Sequence, residues 1–148
     1  MQKNPILRFE THDHMKRSFR SSVPMRIDIA LLILRVWVGA GLFVKHGLEK
    51  VLHFQDMETH FPDPIHIGVK LSLIYALIAD ALCSILVAVG FVTRLAAVLI
   101  VINLLVVFGV LHHFSFEENN AELVYVYLGA FLVLVFTGPG RFSVDSYL

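Results

Sequence analysis

One cysteine, one tryptophan and five prolines stand among 148 residues. With Cys83 alone, neither a disulfide framework nor an intramolecular dithiol reaction is available. Charge is scarce as well. Asp, Glu, Lys and Arg make up 16% of the chain, against about 25% in an average soluble domain. Twelve basic residues offset twelve acidic ones, so the basic excess expected of a nucleic-acid-binding domain is missing. Low charge combined with 57% hydrophobic residues excludes intrinsic disorder. Residues 1–26 hold no apolar run. They carry Lys3, Arg8, Lys16, Arg17, Arg20 and Arg26, which reads as a basic tail rather than a cleavable signal peptide.

What is abundant is apolar sequence, with a mean hydropathy of +0.73. It falls into four segments, at about 27–48, 69–92, 95–111 and 121–138. A membrane-crossing helix needs about 17–25 residues. A soluble bundle would need a polar stripe on every helix, and the third segment offers only Asn103. Strands with unpaired backbone groups are too costly in lipid. The expectation is therefore an all-α, membrane-spanning four-helix bundle over residues 27–148, preceded by the tail at 1–26. Pro62 and Pro64 interrupt the connection between the first two helices. Tyr125 and Tyr127 suit an interfacial belt at the start of the fourth.

Loop charge sets the expected orientation. The side holding both termini carries eight basic and four acidic residues, the other side three basic and seven acidic. Lys and Arg concentrate on the cytoplasmic side, so both termini are expected there, in a multi-pass protein of the cell membrane.

Two charges interrupt the spans, Arg35 in the first and Asp80 in the second. Each costs at least about 2.5–3.5 kcal/mol in a bilayer centre. Counted at 1.5 Å per residue, Arg35 lies about 12 Å, Asp80 about 14 Å and Asn103 about 13–14 Å from the inner ends of their helices. An Arg35–Asp80 ion pair with Asn103 beside it is the resulting expectation. Such a pair either locks two helices together or forms a proton, quinone-headgroup or anion site. On the first helix Asp28, Arg35, Gly39, His46 and Lys50 share one face, and on the second Ala76, Cys83 and Ser84 flank Asp80. Small residues there allow tight packing, or a slot for a flat ligand. Cys83 reads as a buried small hydrophobe.

Six of the eight histidines map to the outer side, together with seven carboxylates. His53, His60 and His66 match no standard zinc spacing, and no metal site is assigned. His46 and His112 stand at similar depth near the outer ends of the first and third helices, as a bis-histidine haem would require. The alternative is an outer mouth lined by His46, Glu49, Lys50, His112 and Glu122. Such groups relay protons or hydrogen-bond a quinol hydroxyl, or else only snorkel at the interface.

Several motifs in order resemble the DoxX family of small four-helix membrane proteins. They are Arg35-x3-Gly39-x3-Phe43-x3-Gly47-x2-Lys50, the stretch Gly90-Phe91-Val92-Thr93-Arg94-Leu95-Ala96-Ala97, His112 followed by Asn120 and Glu122, and the ending Gly138-Pro139-Gly140-Arg141-Phe142-Ser143-Val144-Asp145. The resemblance spans about residues 30–147. Asp80 stands where the family usually has Glu, so a shorter acid must reach any partner. Some relatives are subunits of a thiosulfate:quinone oxidoreductase, and others associate with redox or thiol-stress complexes. Carried over, the resemblance makes Arg35, Lys50, Asp80, His112 and Glu122 the functional positions. The Gly138-Pro139-Gly140 turn is read as structural, with Ser143 and Asp145 capping the next stretch of chain.

Two functions are weighed. In the first, the chain is a subunit of a quinone-linked oxidoreductase that passes electrons from a small reductant, a sulfur anion for instance, to membrane quinone. Arg35 or Lys50 would stabilise negative charge, while Asp80 and His112 move protons, with His46, Glu49, Asn103 and Glu122 lining the pocket. A partner redox subunit or a second copy is then required beside the lipid bilayer, and quinone is the implied cofactor. In the second, the chain is a non-enzymatic membrane scaffold, or a small carrier for a proton or an anion.

Overall fold

The computed structural model describes residues 25–64, 66–116 and 121–147. Most of the basic tail, at 1–24, therefore lies outside the described residues, as do Glu117, Glu118 and Asn120. Met25 and Arg26, expected in the tail, already belong to the first helix. Four helices carry the fold: α1 (Met25–Leu52), α2 (Val69–Val89), α3 (Thr93–Leu111) and α4 (Ala121–Thr137). The first three are long and apolar enough to cross a membrane, and α4 is a shorter apolar helix. Among the described residues there are no strands.

The outward face explains the composition. Trp37 and Phe136 are each 79% exposed, and Ile33, Leu71 and Val126 also point away from the bundle. In water such a surface would be an aggregation liability, whereas acyl chains solvate it without cost. Inside, Leu42, Val87, Ile100, Leu104, Phe131 and Leu134 form one continuous core. Small residues set the spacing between α1 and α2. A Cβ on Gly39 would stand 2.7 Å from the Ser84 carbonyl oxygen, and one on Gly47 would stand 2.5 Å from that of Asp80. The two backbones therefore touch at both glycines. On the other flank of α1, Gly41 receives the Tyr127 hydroxyl of α4. Tyr75 of α2 donates to the Leu99 carbonyl of α3 at 3.0 Å.

Each of the first three helices contains one wider π turn, at Phe43–Gly47, Ile78–Cys83 and Val107–Leu111. A π turn inserts one extra residue and rotates the side chains beyond it. In α2 the displaced carbonyls of Asp80 and Ala81 accept from the Ser84 hydroxyl at 2.6 and 2.9 Å.

The end of the bundle that carries both chain ends is stitched by the segment after α4. Asp145 accepts the Val92 and Thr93 amides at 2.6 and 2.9 Å, which caps the start of α3 from 53 and 52 residues away. A carboxylate there satisfies orphan amides and faces the positive end of the helix dipole. The sequence expectation, that Asp145 caps the stretch beyond it, is not met. The chain folds back instead, and the cap goes to the helix whose start lacks a local capping residue. Ser143 also turns inward, donating to the Gly140 carbonyl at 2.7 Å. Asp28 of α1 accepts the Arg141 amide at 3.0 Å. Buried Arg35 donates to the Phe142 and Val89 carbonyls. Gly90, at φ +81°, ends α2 in the left-handed region, and a Cβ there would overlap the Arg35 guanidinium.

Partial burial pushes the Asp145 carboxyl upward. The Thr93 and Val92 amides and the Arg35 charge outweigh it and hold the group below its ordinary value of 3.8. A depressed carboxylate contributes stability above its ordinary value and loses that contribution as pH falls through the depressed one. Asp145→Ala should cost about 1 kcal/mol near neutral pH. Thermal midpoints of wild type and variant should stay apart above the ordinary carboxylate range and converge on acidification below it. A gap that widens in acid would contradict the cap.

Candidate functional site

A lysine in an apolar span must find a partner, and Lys50 finds Asp80. The ammonium lies 2.9 Å from Asp80 Oδ2, and both side chains are close to fully buried. The geometry stems from helix direction. Gly47, not Arg35, is the α1 residue level with Asp80. Lys50 sits one turn beyond Gly47, and side chains on a helix lean toward its N-terminus. The long lysine stem thus comes back to the level of Asp80, and Nζ also donates to the His46 carbonyl at 3.3 Å. The reach of the shorter acid is met by the glycine contact and the long stem together. From α3, Asn103 Nδ2 donates to Asp80 Oδ1 at 2.9 Å. Three helices meet at one carboxylate.

The expected Arg35–Asp80 pair does not form. Arg35 reaches Val89 at the end of α2, nine residues from Asp80, or roughly 14 Å along the helix. Placing Arg35 level with Asp80 assumes that α1 begins at the bundle's edge. In fact Arg35 is engaged by the carbonyls of the closing segment. Asn103 is beside Asp80 as expected. Lys50, expected at the outer mouth, takes the place intended for Arg35.

A cavity of about 210 Å3 lies over this cluster. Lys50, Asp80 and Asn103 line its polar part, with His46, Ser72 and Tyr75. Leu42, Ala76, Leu104, Val107, Leu111 and Val124 supply apolar wall, and Phe61, Pro62, Pro64 and Ile67 of the connection between α1 and α2 close it. All three π turns border it, through His46, Asp80 and Val107. That closing segment is itself anchored. Asp63 accepts from the Ser72 hydroxyl at 2.7 Å and from the Gly68 and Ile67 amides. The Ser72 hydroxyl first, then those amides, hold the Asp63 carboxyl below its usual range. Lys70 pairs with Glu58 at 2.7 Å on the exposed side.

The other predicted positions are dispersed. Glu49 is exposed and lines an adjoining surface cleft with His53, Asp56 and His60, which shares Lys50, Phe61 and Pro62 with the cavity. Glu122 is exposed at the start of α4. His112 is half-buried at the end of α3, its amide bonded to the Val107 carbonyl, and it does not line the cavity. His46 does line it, so the two histidines do not face one shared space. Among the described residues no three His, Cys, Asp or Glu side chains are grouped to hold a metal ion. Ser72, Tyr75 and the roof residues Phe61, Pro62, Pro64 and Ile67 were missed. A Pro-bracketed acid, Asp63-Pro64, was the one available signal that this connection folds back on α2.

The chemistry of the cluster suits a ring with polar oxygens. An apolar cavity of about 150 Å3 takes benzene, so about 210 Å3 admits a substituted six-membered ring. The Lys50 ammonium has three N–H groups and uses two within the protein. Asp80 and Asn103 keep accepting positions free on the cavity side.

The sequence model of one family, DoxX, matches residues 30–113, which is more than half of the chain. Comparison with curated proteins and with solved structures gives no match.

Removing one partner of a buried pair strands the other charge, at about 3–5 kcal/mol, whereas removing both is far milder. Lys50→Met and Asp80→Asn should each lower the thermal midpoint in detergent strongly, and the double variant should recover most of the loss. Additive losses would mean that the two charges do not depend on each other.

Proposed function

The chain belongs to the DoxX family, and on that premise we propose that it is the quinone-binding membrane subunit of an oxidoreductase. It would pass electrons from a small reductant of the sulfur-anion class to membrane quinone. One observation carries this reading: a buried Lys50–Asp80–Asn103 cluster opens on an apolar cavity of ring size. A free Lys50 N–H points a positive charge at an oxygen that gains electron density on reduction, where it is worth more than in water. The apolar walls orient the ring and exclude bulk water. Bound quinone supplies the two-electron chemistry. Electrons arrive from a partner redox subunit, since the lone, buried Cys83 cannot form a dithiol couple.

Arg35 drops out of the reacting groups under this reading and serves the fold. His112, Glu49 and Glu122 are left at the loop end as groups that exchange protons with water. Both termini are assigned to the cytoplasm, and the protein to the cell membrane, from the Lys and Arg distribution.

Lipid extraction of the purified protein tests the proposal. Quinone should be enriched per chain well above its share of the bulk membrane lipid. A hydrogen bond from a charged group is worth about 1.5–3 kcal/mol, so Lys50→Met should reduce that enrichment at least about tenfold. Quinone at the bulk proportion in wild type would instead favour a scaffold or a small proton or anion carrier.

A further inference from the structure

We propose, resting on the reading that the cavity holds a quinone, that the site is built for the reduced, hydroxyl-bearing ring and holds it more tightly than the oxidised dione. The reason is an inventory of donors and acceptors. Lys50 donates to Asp80 Oδ2 and to the His46 carbonyl, which leaves one N–H. Asn103 Nδ2 donates to Asp80 Oδ1, which leaves a second. Against these two donors stand about four accepting positions, on the two Asp80 oxygens and on Asn103 Oδ1. The other polar groups of the lining do not redress the balance. The Tyr75 hydroxyl proton is committed to the Leu99 carbonyl and that of Ser72 to Asp63. A neutral His46 ring adds one donor and one acceptor. The cavity therefore presents more lone pairs than protons.

A dione has only accepting oxygens. Placed over Asp80 and Asn103, its carbonyl takes the spare N–H groups but leaves the remaining buried acceptors unpaired. A phenolic hydroxyl donates to the Asp80–Asn103 acceptors while its own oxygen receives the spare Lys50 N–H. Sites arranged to bond a hydroxyl reject analogues that lack it far more strongly than apolar pockets discriminate by size. The imbalance corresponds to at least about a tenfold preference for the reduced ring.

The preference has a redox consequence. Conversion of the dione to the dihydroxy ring takes up two electrons and two protons. Holding the product form tenfold tighter raises the potential of the bound couple by about 30 mV. The bound acceptor thereby draws electrons from a weaker reductant than free membrane quinone would.

Anaerobic titration calorimetry on the full chain in lipid nanodiscs tests this. The probes are 2,3-dimethoxy-5-methyl-1,4-hydroquinone, its oxidised form, and its bis-O-methyl ether, which keeps the ring but has no hydroxyl to donate. The hydroquinone should bind at least about tenfold tighter than either of the others. Asn103→Leu should narrow the gap while the oxidised form still binds. Asp80→Asn should narrow it too, and wild type alone decides the outcome if that variant fails to fold. Equal binding of all three, or tighter binding of the oxidised form, overturns the preference and leaves the quinone reading standing. Absence of binding by every probe overturns both.

Discussion

The close approach of Gly47 to the α2 backbone at Asp80 governs the rest of the loop end. It brings a buried carboxylate within reach of the Lys50 ammonium, whose stem comes back to its level. Without that contact Asp80 would be an unpaired charge among apolar helices, and α2 could not hold it there. The wider turns in α1 and α2 lie at this contact. They loosen the regular packing of both helices where the pair and its cavity must fit.

The molecule divides its buried charge between two tasks at opposite ends. Near the chain ends, Arg35, Asp28 and Asp145 are taken up by backbone groups, within the segment after α4 or at the start of α3. Their hydrogen bonds close the bundle and fix the start of α3. Toward the loops, the Lys50–Asp80–Asn103 cluster is held by three helices yet keeps bonding positions facing a cavity. The difference between the two ends lies in where spare bonding positions face, because most buried donors and acceptors are answered by something. In the cluster the answer has to come from the cavity. That requirement is also what lets its occupant be chosen by hydroxyl or carbonyl.

The roof over the cavity depends on similarly local contacts. Asp63 gathers the Ser72 hydroxyl and two amides, so the Pro-bracketed connection lies across the bundle mouth instead of extending away from it. Phe61, Pro62 and Ile67 then cover the ion pair with apolar surface. A water-exposed pair would be screened and weak. Under this cover its charges act at short range.

The four helices, their approximate limits, their apolar outward faces and their link to the DoxX family were legible in the chain, because lipid leaves few structures for apolar runs of that length. So were the place of Asp80 inside the bundle, its proximity to Asn103, and the common face of Arg35 and Lys50. Residue spacing determines face and distance along one helix. What tertiary structure alone decided was the register between helices, and with it which cation meets the acid. Sequence counting placed Arg35 level with Asp80. The actual register is set by where glycine backbones touch and by a closing segment, far along the chain, that claims Arg35 for itself. Those contacts join residues distant in sequence, and no periodicity within a single helix encodes them.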